Sequence, residues 1–369
     1  MATNFSAIEA CLTNQLDTTA VGTRRFAGVI GDSPSRYSKS PALWNAAFDR
    51  LGIDAAYLAF DVAAGRLKDL AAVLRDSADV LGCNVTVPHK QKIIDCLDDV
   101  DPQAARNQAV NTIVRASDGR LVGYNTDGGG FIASLREPKP GQGNPFIESF
   151  KGMRVMILGA GGSARAVAFA LADLGQIGEI ILCNRTVAIG EALAKELGST
   201  SPQVRVIGEN DIAAHAATAN LIVNCTVKGQ GGLRHDAAGN VTMLESYSAL
   251  APAQPKSFPA ARARQTDFVS LFETACREDI DANNDASMAV AISVPKESRF
   301  YDLVYHPEET VFLRHGRTTG HRTMNGKAMI VWQAALAFCN HICKQQLETK
   351  KLNGPGILNR VAEIMFRAW

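Results

Sequence analysis

Lys90 closes the stretch Gly82-Cys83-Asn84-Val85-Thr86-Val87-Pro88-His89-Lys90. Asn84 to Val87 alternate polar and apolar, the period of a strand with one wet face. Pro88 ends that strand, because it lacks an N–H and restricts its predecessor. Open α/β sheets bind ligands at strand carboxyl ends, so Asn84, Thr86 and Lys90 are expected at one mouth. A lysine there can give or take a proton as an alcohol and a ketone interconvert, and as an ammonium it polarises a carbonyl. A free lysine titrates near ~10.4, too high for a shuttle at neutral pH; a closed, dry cleft would lower it. Asp127, within Asn125-Thr126-Asp127-Gly128, opposes that shift by its charge, yet can orient Lys90 and bind the same hydroxyl. Either of the two can be the formal base. Taken singly, a lysine in a turn is usually a solvated surface charge, and an Asp before Gly is usually a turn former. His89 reads as structural.

A second chemical signature is Gly159-x-Gly161-x-x-Ala164, set between the apolar strand Arg154–Leu158 and the apolar helix Ala166–Leu174. That is the context of a dinucleotide-binding (Rossmann) fingerprint. Gly159 allows the tight turn, Gly161 and Gly162 let backbone approach a pyrophosphate, and Ala164 lets helix and strand pack closely. The helix N-terminus supplies free N–H groups and positive charge. The next strand ends at Asn184-Arg185-Thr186 rather than at an acid. An acid would repel a ribose 2′-phosphate, whereas Arg185 and Thr186 can bind one. NADP is therefore favoured over NAD, which stays open.

The elements that must position these groups alternate β and α over the first 135 residues. Ser40 reads as the N-cap, and Pro41 as the first turn, of a helix running to Leu51. Asp118-Gly119 is a hairpin turn. Pro138 to Asn144 is the clearest linker. Residues 227–298 read as a partly irregular insertion, with an added strand at Ala289–Val294. Lys327 to Lys344 reads as one long helix.

A chain of 369 residues is too long for one ordinary core. Its 46% hydrophobic and 20% charged residues describe a globular protein. A net charge of +1 without a basic block argues against a nucleic-acid or membrane-surface binder. Neither a signal peptide nor a spanning apolar run is expected. The eight scattered cysteines include no CxxC, which suits reduced thiols in the cytoplasm and no metal site.

Motifs in family order make the chain similar to the shikimate dehydrogenase family. Ser38-Lys39-Ser40-Pro41 resembles its substrate loop, and Asn84 to Lys90 its NVTxPxK signature, whose lysine is catalytic. Ala109-Val110-Asn111-Thr112 and Asn125-Thr126-Asp127 resemble AVNT and NTD. The Gly159 loop, Asn184-Arg185-Thr186, Asp302-Leu303-Val304-Tyr305 and the pair Gly326 and Gln333 resemble the remaining elements. The resemblance implies an α/β fold: an N-terminal α/β catalytic domain plus a Rossmann dinucleotide-binding domain, with the active site in the cleft between them. It implies a substrate-binding and catalytic domain at 22–135 and 318–369, and an NADP-binding domain at 136–317 with the insertion at about 228–298.

The implied reaction is reversible NADPH-dependent reduction of 3-dehydroshikimate to shikimate, a step of aromatic amino acid (chorismate) biosynthesis. The implied catalytic pair is Lys90 and Asp127. Ser38, Ser40, Thr86, Asn111, Asp127, Tyr305 and Gln333 would contact substrate. Gly159, Ala160, Gly161, Gly162, Ser163, Ala164, Asn184, Arg185, Thr186, Thr226, Leu303 and Gly326 would contact cofactor, the last two of these beside the nicotinamide. No partner beyond small molecules is implied for a monomer or homodimer. Two alternatives stand: an NAD-dependent quinate/shikimate dehydrogenase, and a non-catalytic metabolite-binding relative. Ser40 favours shikimate, since quinate-using relatives tend to carry threonine there. Ile189 stands where family members often have Arg or Lys, and Gln108 where they usually have glycine. Asn224-Cys225-Thr226-Val227-Lys228-Gly229 matches NxTxxGM only in part, and the connection after Gly229 is about fifty residues longer than the family's usual one.

Overall fold

A computed structural model gives the fold and describes residues 5–17, 21–22, 24–198, 202–236 and 238–369. The chain divides into two units, Met1–Pro145 with Ala328–Trp369, and Phe146–Lys327.

The first unit is built on strands β1 (Arg25–Gly31), β2 (Ala55–Asp61), β3 (Val80–Val85), β4 (Asp99–Val100), β5 (Thr112–Arg115) and β6 (Leu121–Tyr124). Their order in the sheet is β2-β1-β3-β5-β6-β4. β1 pairs parallel with β2 and β3, and β5 runs antiparallel to β3 and β6. β3 is buried along its whole length, not wet on one face. Asn84 points into the interior, where hydrogen bonds replace water. Helix Leu67–Asp76 buries Leu67, Leu70, Ala71 and Leu74, one stripe at helical spacing. Each such leucine stabilises the fold by roughly 1.5–3 kcal/mol. Helix Ser40–Leu51 stops at Gly52, whose φ of 60° needs no Cβ.

The C-terminal part of this unit is not one long helix. Lys327–Ala337 passes into a π turn, Phe338–Ile342, before Lys344–Thr349. Phe338 packs against Trp44 and Phe48 there.

The second unit begins with β7 (Arg154–Leu158), β8 (Glu179–Cys183), β9 (Gln203–Ile207) and β10 (Leu221–Asn224). The segment expected to be irregular is ordered. It forms an antiparallel sheet of β11 (Leu233–His235), β12 (Asn240–Met243) and β13 (Phe258–Pro259), then helices Phe268–Ala275 and Arg277–Ser293. Val241, Tyr247, Phe268, Phe272 and Ile280 give it a core of its own. Ala289–Val294 is not a strand: it ends the second helix, with Val290 and Ala291 packed into the core of the main sheet. Its short apolar run fits either period, and burial inside the unit decides for helix.

β14 (Arg299–Asp302) and β15 (Arg322–Met324) complete a sheet ordered β15-β14-β10-β7-β8-β9. Neighbouring strands in it run parallel throughout. This is a doubly wound sheet whose order reverses between β7 and β10, the place where such sheets bind ligands. Because β15 pairs with β14, residues 318–327 belong to this unit, and the return to the first begins at Ala328 rather than at 318.

Candidate functional site

In the first unit Lys90 and Asn111, two of the polar residues singled out by sequence, meet on one carboxylate. Lys90 Nζ donates to Asp127 Oδ2 at 2.6 Å, and Asn111 Nδ2 donates to Asp127 Oδ1 at 2.8 Å. The lysine side chain keeps 29% of its surface accessible, the aspartate 13%. The pair is thus sheltered but reachable, and it is screened less than an open surface pair. Asp127 opens helix Asp127–Arg136, whose positive end favours its charge. It is no mere turn former.

Asn111 is held from both sides. Its Oδ1 accepts from Thr126 N at 2.9 Å and Thr112 Oγ1 at 2.9 Å. Its Nδ2 also lies 3.1 Å from Gln333 Oε1. Lys90 O accepts from Val110 N at 2.8 Å, which ties the lysine's loop to the strand that leads to Asn111.

Two glycines permit this approach. A Cβ on Gly130 would lie 2.6 Å from Gln333 Cβ and 2.7 Å from Gln333 N. A Cβ on Gly31 would lie 2.6 Å from Thr86 Cγ2. Both distances are far below contact, so the bare backbone sets how near Gln333 and Thr86 can come.

Ser40 is the first residue of its helix rather than the cap, and Ser38 Oγ accepts from its N–H at 3.2 Å. Sequence reasoning missed Tyr57. Its buried hydroxyl donates to Asn84 Oδ1 at 2.6 Å. Burial pushes its pKa well up, so it stays a donor. Asn84 Nδ2 in turn donates to the Asn111 carbonyl at 3.2 Å. Asn84 is therefore a buried link between Tyr57 and Asn111, not a group at the mouth. The one hint in sequence was a tyrosine in an otherwise apolar strand. His89 is buried with Nε2 2.7 Å from the Val62 carbonyl, so Nε2 carries the proton and latches the loop.

The second unit carries the glycine loop at the switch point. Gly159 has a φ of 103°, which only glycine adopts freely. A Cβ on Gly161 or Gly162 would meet nothing within 4 Å, so the loop borders open space. Helix Gly162–Asp173 starts there without a side-chain cap, with Ser163 in its first turn and Ala164 fully buried. Its first amides stay available to an anion. A cavity of about 350 Å³ adjoins the loop, lined by Gly159, Ala160, Gly161, Arg185, Thr186 and Thr226 among others. Ile189 lines it too. This lining fits the phosphate-bearing half of a nicotinamide dinucleotide: open amides, one guanidinium and hydroxyls. Asn184 joins the two loops, its Oδ1 accepting from Ala160 N and its Nδ2 donating to Thr186 O.

Beyond the cavity, Leu303 and Gly326 abut. A Cβ on Gly326 would lie 2.0 Å from the Leu303 carbonyl oxygen. Burial raises the Tyr305 pKa, leaving its hydroxyl protonated. Asp302 is buried and accepts from Asn224 Nδ2 at 2.9 Å, Val304 N at 2.9 Å and Thr310 Oγ1 at 2.6 Å. Burial nevertheless raises its pKa to about 7 from 3.8. A carboxyl whose folded pKa is raised stabilises the fold below its unfolded pKa, and that contribution fades as pH rises through the folded one. The gap in unfolding free energy between the wild type and Asp302→Asn should therefore narrow from pH 5 to pH 8 in urea titrations. A gap independent of pH would contradict it.

A sheltered lysine–carboxylate pair in one unit and a doubly wound sheet with a glycine loop at its switch point in the other are the features of a nicotinamide-dependent oxidoreductase. Among the described residues no cluster could hold a metal ion, and no helix is long and apolar enough to cross a membrane. Residues 29–113 match the family model for the shikimate dehydrogenase substrate binding domain, and residues 144–243 that for shikimate / quinate 5-dehydrogenase. A shikimate dehydrogenase (NADP(+)) of Moorella thermoacetica is 38% identical, over 83% of this chain and 84% of its own length. Shikimate 5-dehydrogenase of Thermus thermophilus, solved with NADP(H) and shikimate, is 30% identical at a TM-score of 0.60, covering 94% of this chain and 100% of that one. The Listeria monocytogenes enzyme, solved with shikimate and NAD, is 27% identical at a TM-score of 0.67, covering 94% and 97%. The chain belongs to the shikimate dehydrogenase family.

Proposed function

We propose that this chain catalyses the reversible NADPH-dependent reduction of 3-dehydroshikimate to shikimate, within aromatic amino acid biosynthesis. The observation that carries the reading is the Lys90–Asp127 pair held by Asn111. Both Asp127 oxygens already accept a hydrogen bond, so the carboxylate orients. Lys90 Nζ uses one of its three hydrogens on Asp127, and the others can reach a carbonyl oxygen. In reduction Lys90 stabilises the developing oxyanion and hands it a proton; in oxidation it takes that proton back. NADPH, when bound, supplies the hydride.

Ser38, Ser40, Thr86, Asn111, Tyr305 and Gln333 are hydroxyl, amide and phenol groups suited to a hydroxylated ring acid. Sites built from such groups reject analogues that leave them unpaired. Arg185 and Thr186 take the 2′-phosphate. The eight cysteines, all free thiols, favour a cytoplasmic setting.

Ile189 is the specific reason to weigh NAD, because it puts an apolar side chain where a second cation would help the phosphate. Steady-state kinetics with shikimate and quinate, each with NADP and NAD, tests the proposal. The expected result is the highest kcat/KM for shikimate with NADP. A higher value for quinate with NAD would overturn it.

A further inference from the structure

The dinucleotide cavity has a wall that the glycine loop does not supply. Leu244, Ala249, Ala253 and Pro255, all from the inserted segment, face it together with Ile212. Within this apolar lining stands one ion pair. Lys228 Nζ donates to Glu209 Oε1 at 2.8 Å and to the Ala251 carbonyl at 2.7 Å. Both side chains are largely buried, at 12% and 16% accessible, and both line the cavity.

The pair is fixed from several directions. Lys228 N donates to Thr226 Oγ1 at 3.1 Å, and Asn224 Nδ2 donates to Lys228 O at 3.1 Å. Ala251 is pinned from behind by the buried Asn283, on the inserted helix. Asn283 Nδ2 lies 3.1 Å from Ala251 O, 3.2 Å from Ser248 O and 2.9 Å from Pro252 O, and its Oδ1 accepts from Ser248 N at 2.8 Å.

Two of the three ammonium hydrogens have partners, and among the described residues none takes the third. Glu209 Oε2 accepts from no described residue, while Oε1 is taken by Lys228. The cavity thus presents an acceptor and a donor side by side between apolar surfaces. Adenine offers the complement on its N7 edge, a donor at its 6-amino group beside the acceptor N7 on a flat apolar ring. A 6-oxopurine would set its carbonyl oxygen against the carboxylate.

We propose that the Glu209–Lys228 pair, held by the inserted segment, reads the adenine edge of the cofactor. This rests on the dinucleotide reading given above. Glu209 and Lys228 select the base, and Asn283 positions the wall behind them.

The test is calorimetric binding to the intact protein of NADP+ and of its hypoxanthine analogue, in which a carbonyl replaces the 6-amino group and N1 carries a hydrogen, while N7 stays an acceptor. The wild type should bind NADP+ about tenfold tighter or more, because a mismatched purine leaves a buried polar group unpaired. Glu209→Gln, whose amide can donate as well as accept, should bring the two affinities within about twofold. Asn283→Ala should weaken NADP+ several-fold and leave shikimate binding unchanged. Equal wild-type affinities, or full discrimination kept in Glu209→Gln, would overturn the adenine assignment alone. Failure of both dinucleotides to bind would overturn it together with the cofactor reading. Since Asn283 is buried, Glu209→Gln decides if Asn283→Ala does not fold.

Discussion

Lys90→Met is expected to lower kcat about 10²- to 10⁴-fold, the range that a positioned acid or base contributes. Methionine keeps the length of the stem and removes every donor. The loss should fall on kcat more than on KM for shikimate, because the proton is needed only as charge develops on oxygen. Calorimetric NADP+ affinity should not change. Asp127→Asn should cost less, since an amide still accepts from Lys90 and Lys90 keeps its protons. Single-turnover rates of hydride transfer for the two variants check this order. Turnover equal to wild type in Lys90→Met would remove the lysine from the chemistry, and a larger loss in Asp127→Asn would move the proton to the carboxylate.

Gly130→Ala is expected to be costly in a different way. The new methyl would meet Gln333 backbone as well as its Cβ, so no rotamer change relieves it. Overpacking of this kind costs about 1–3 kcal/mol, and more where backbone must shift. The displaced Gln333 would also leave Asn111, raising KM for shikimate with NADP+ affinity unaltered. The neighbouring Gly129 makes the comparison sharp. There the nearest atom is the tip of Leu336, at 3.0 Å, which can swing aside. Gly129→Ala should therefore be neutral or gain some of the roughly 1 kcal/mol by which alanine exceeds glycine in helices. Urea midpoints and KM values for the two variants test the contrast. Similar losses in both would mean that helix content, not the approach of Gln333, decides.

The parts of the site legible in sequence are those whose chemistry is local. Lys90 after a strand, and the Gly159 loop between strand and helix, announce themselves by pattern because a turn, a helix end and a charge lie within a few residues. Ser40 and Asn84 are harder. Each is polar at a place where a local rule gives a ready answer, an N-cap for one and a wet strand face for the other. The actual partners, Ser38 for the first and Tyr57 for the second, depend on tertiary placement. Periodicity cannot separate buried strand from buried helix at Ala289–Val294. The inserted segment reads as irregular because its strands are only two to four residues long, too short for alternation to show. Its Asn283 carries no motif at all, and its role comes from four hydrogen bonds to one distant turn.

The hydrogen bond between Asn111 and Gln333 spans 222 residues of chain. At a synthesis rate of about 5–20 residues per second, roughly ten to forty seconds separate the two partners as they leave the ribosome. Throughout that interval the N-terminal sheet lacks the helix that meets Gly130, and the rings of Trp44 and Phe48 lack the cover of Phe338. The second unit is continuous and meets no such delay. The order of birth is thus the reverse of the order of completion: the half carrying Lys90 is made first and finished last. During that wait the uncovered faces of Trp44 and Phe48 are open to aggregation and to chaperones.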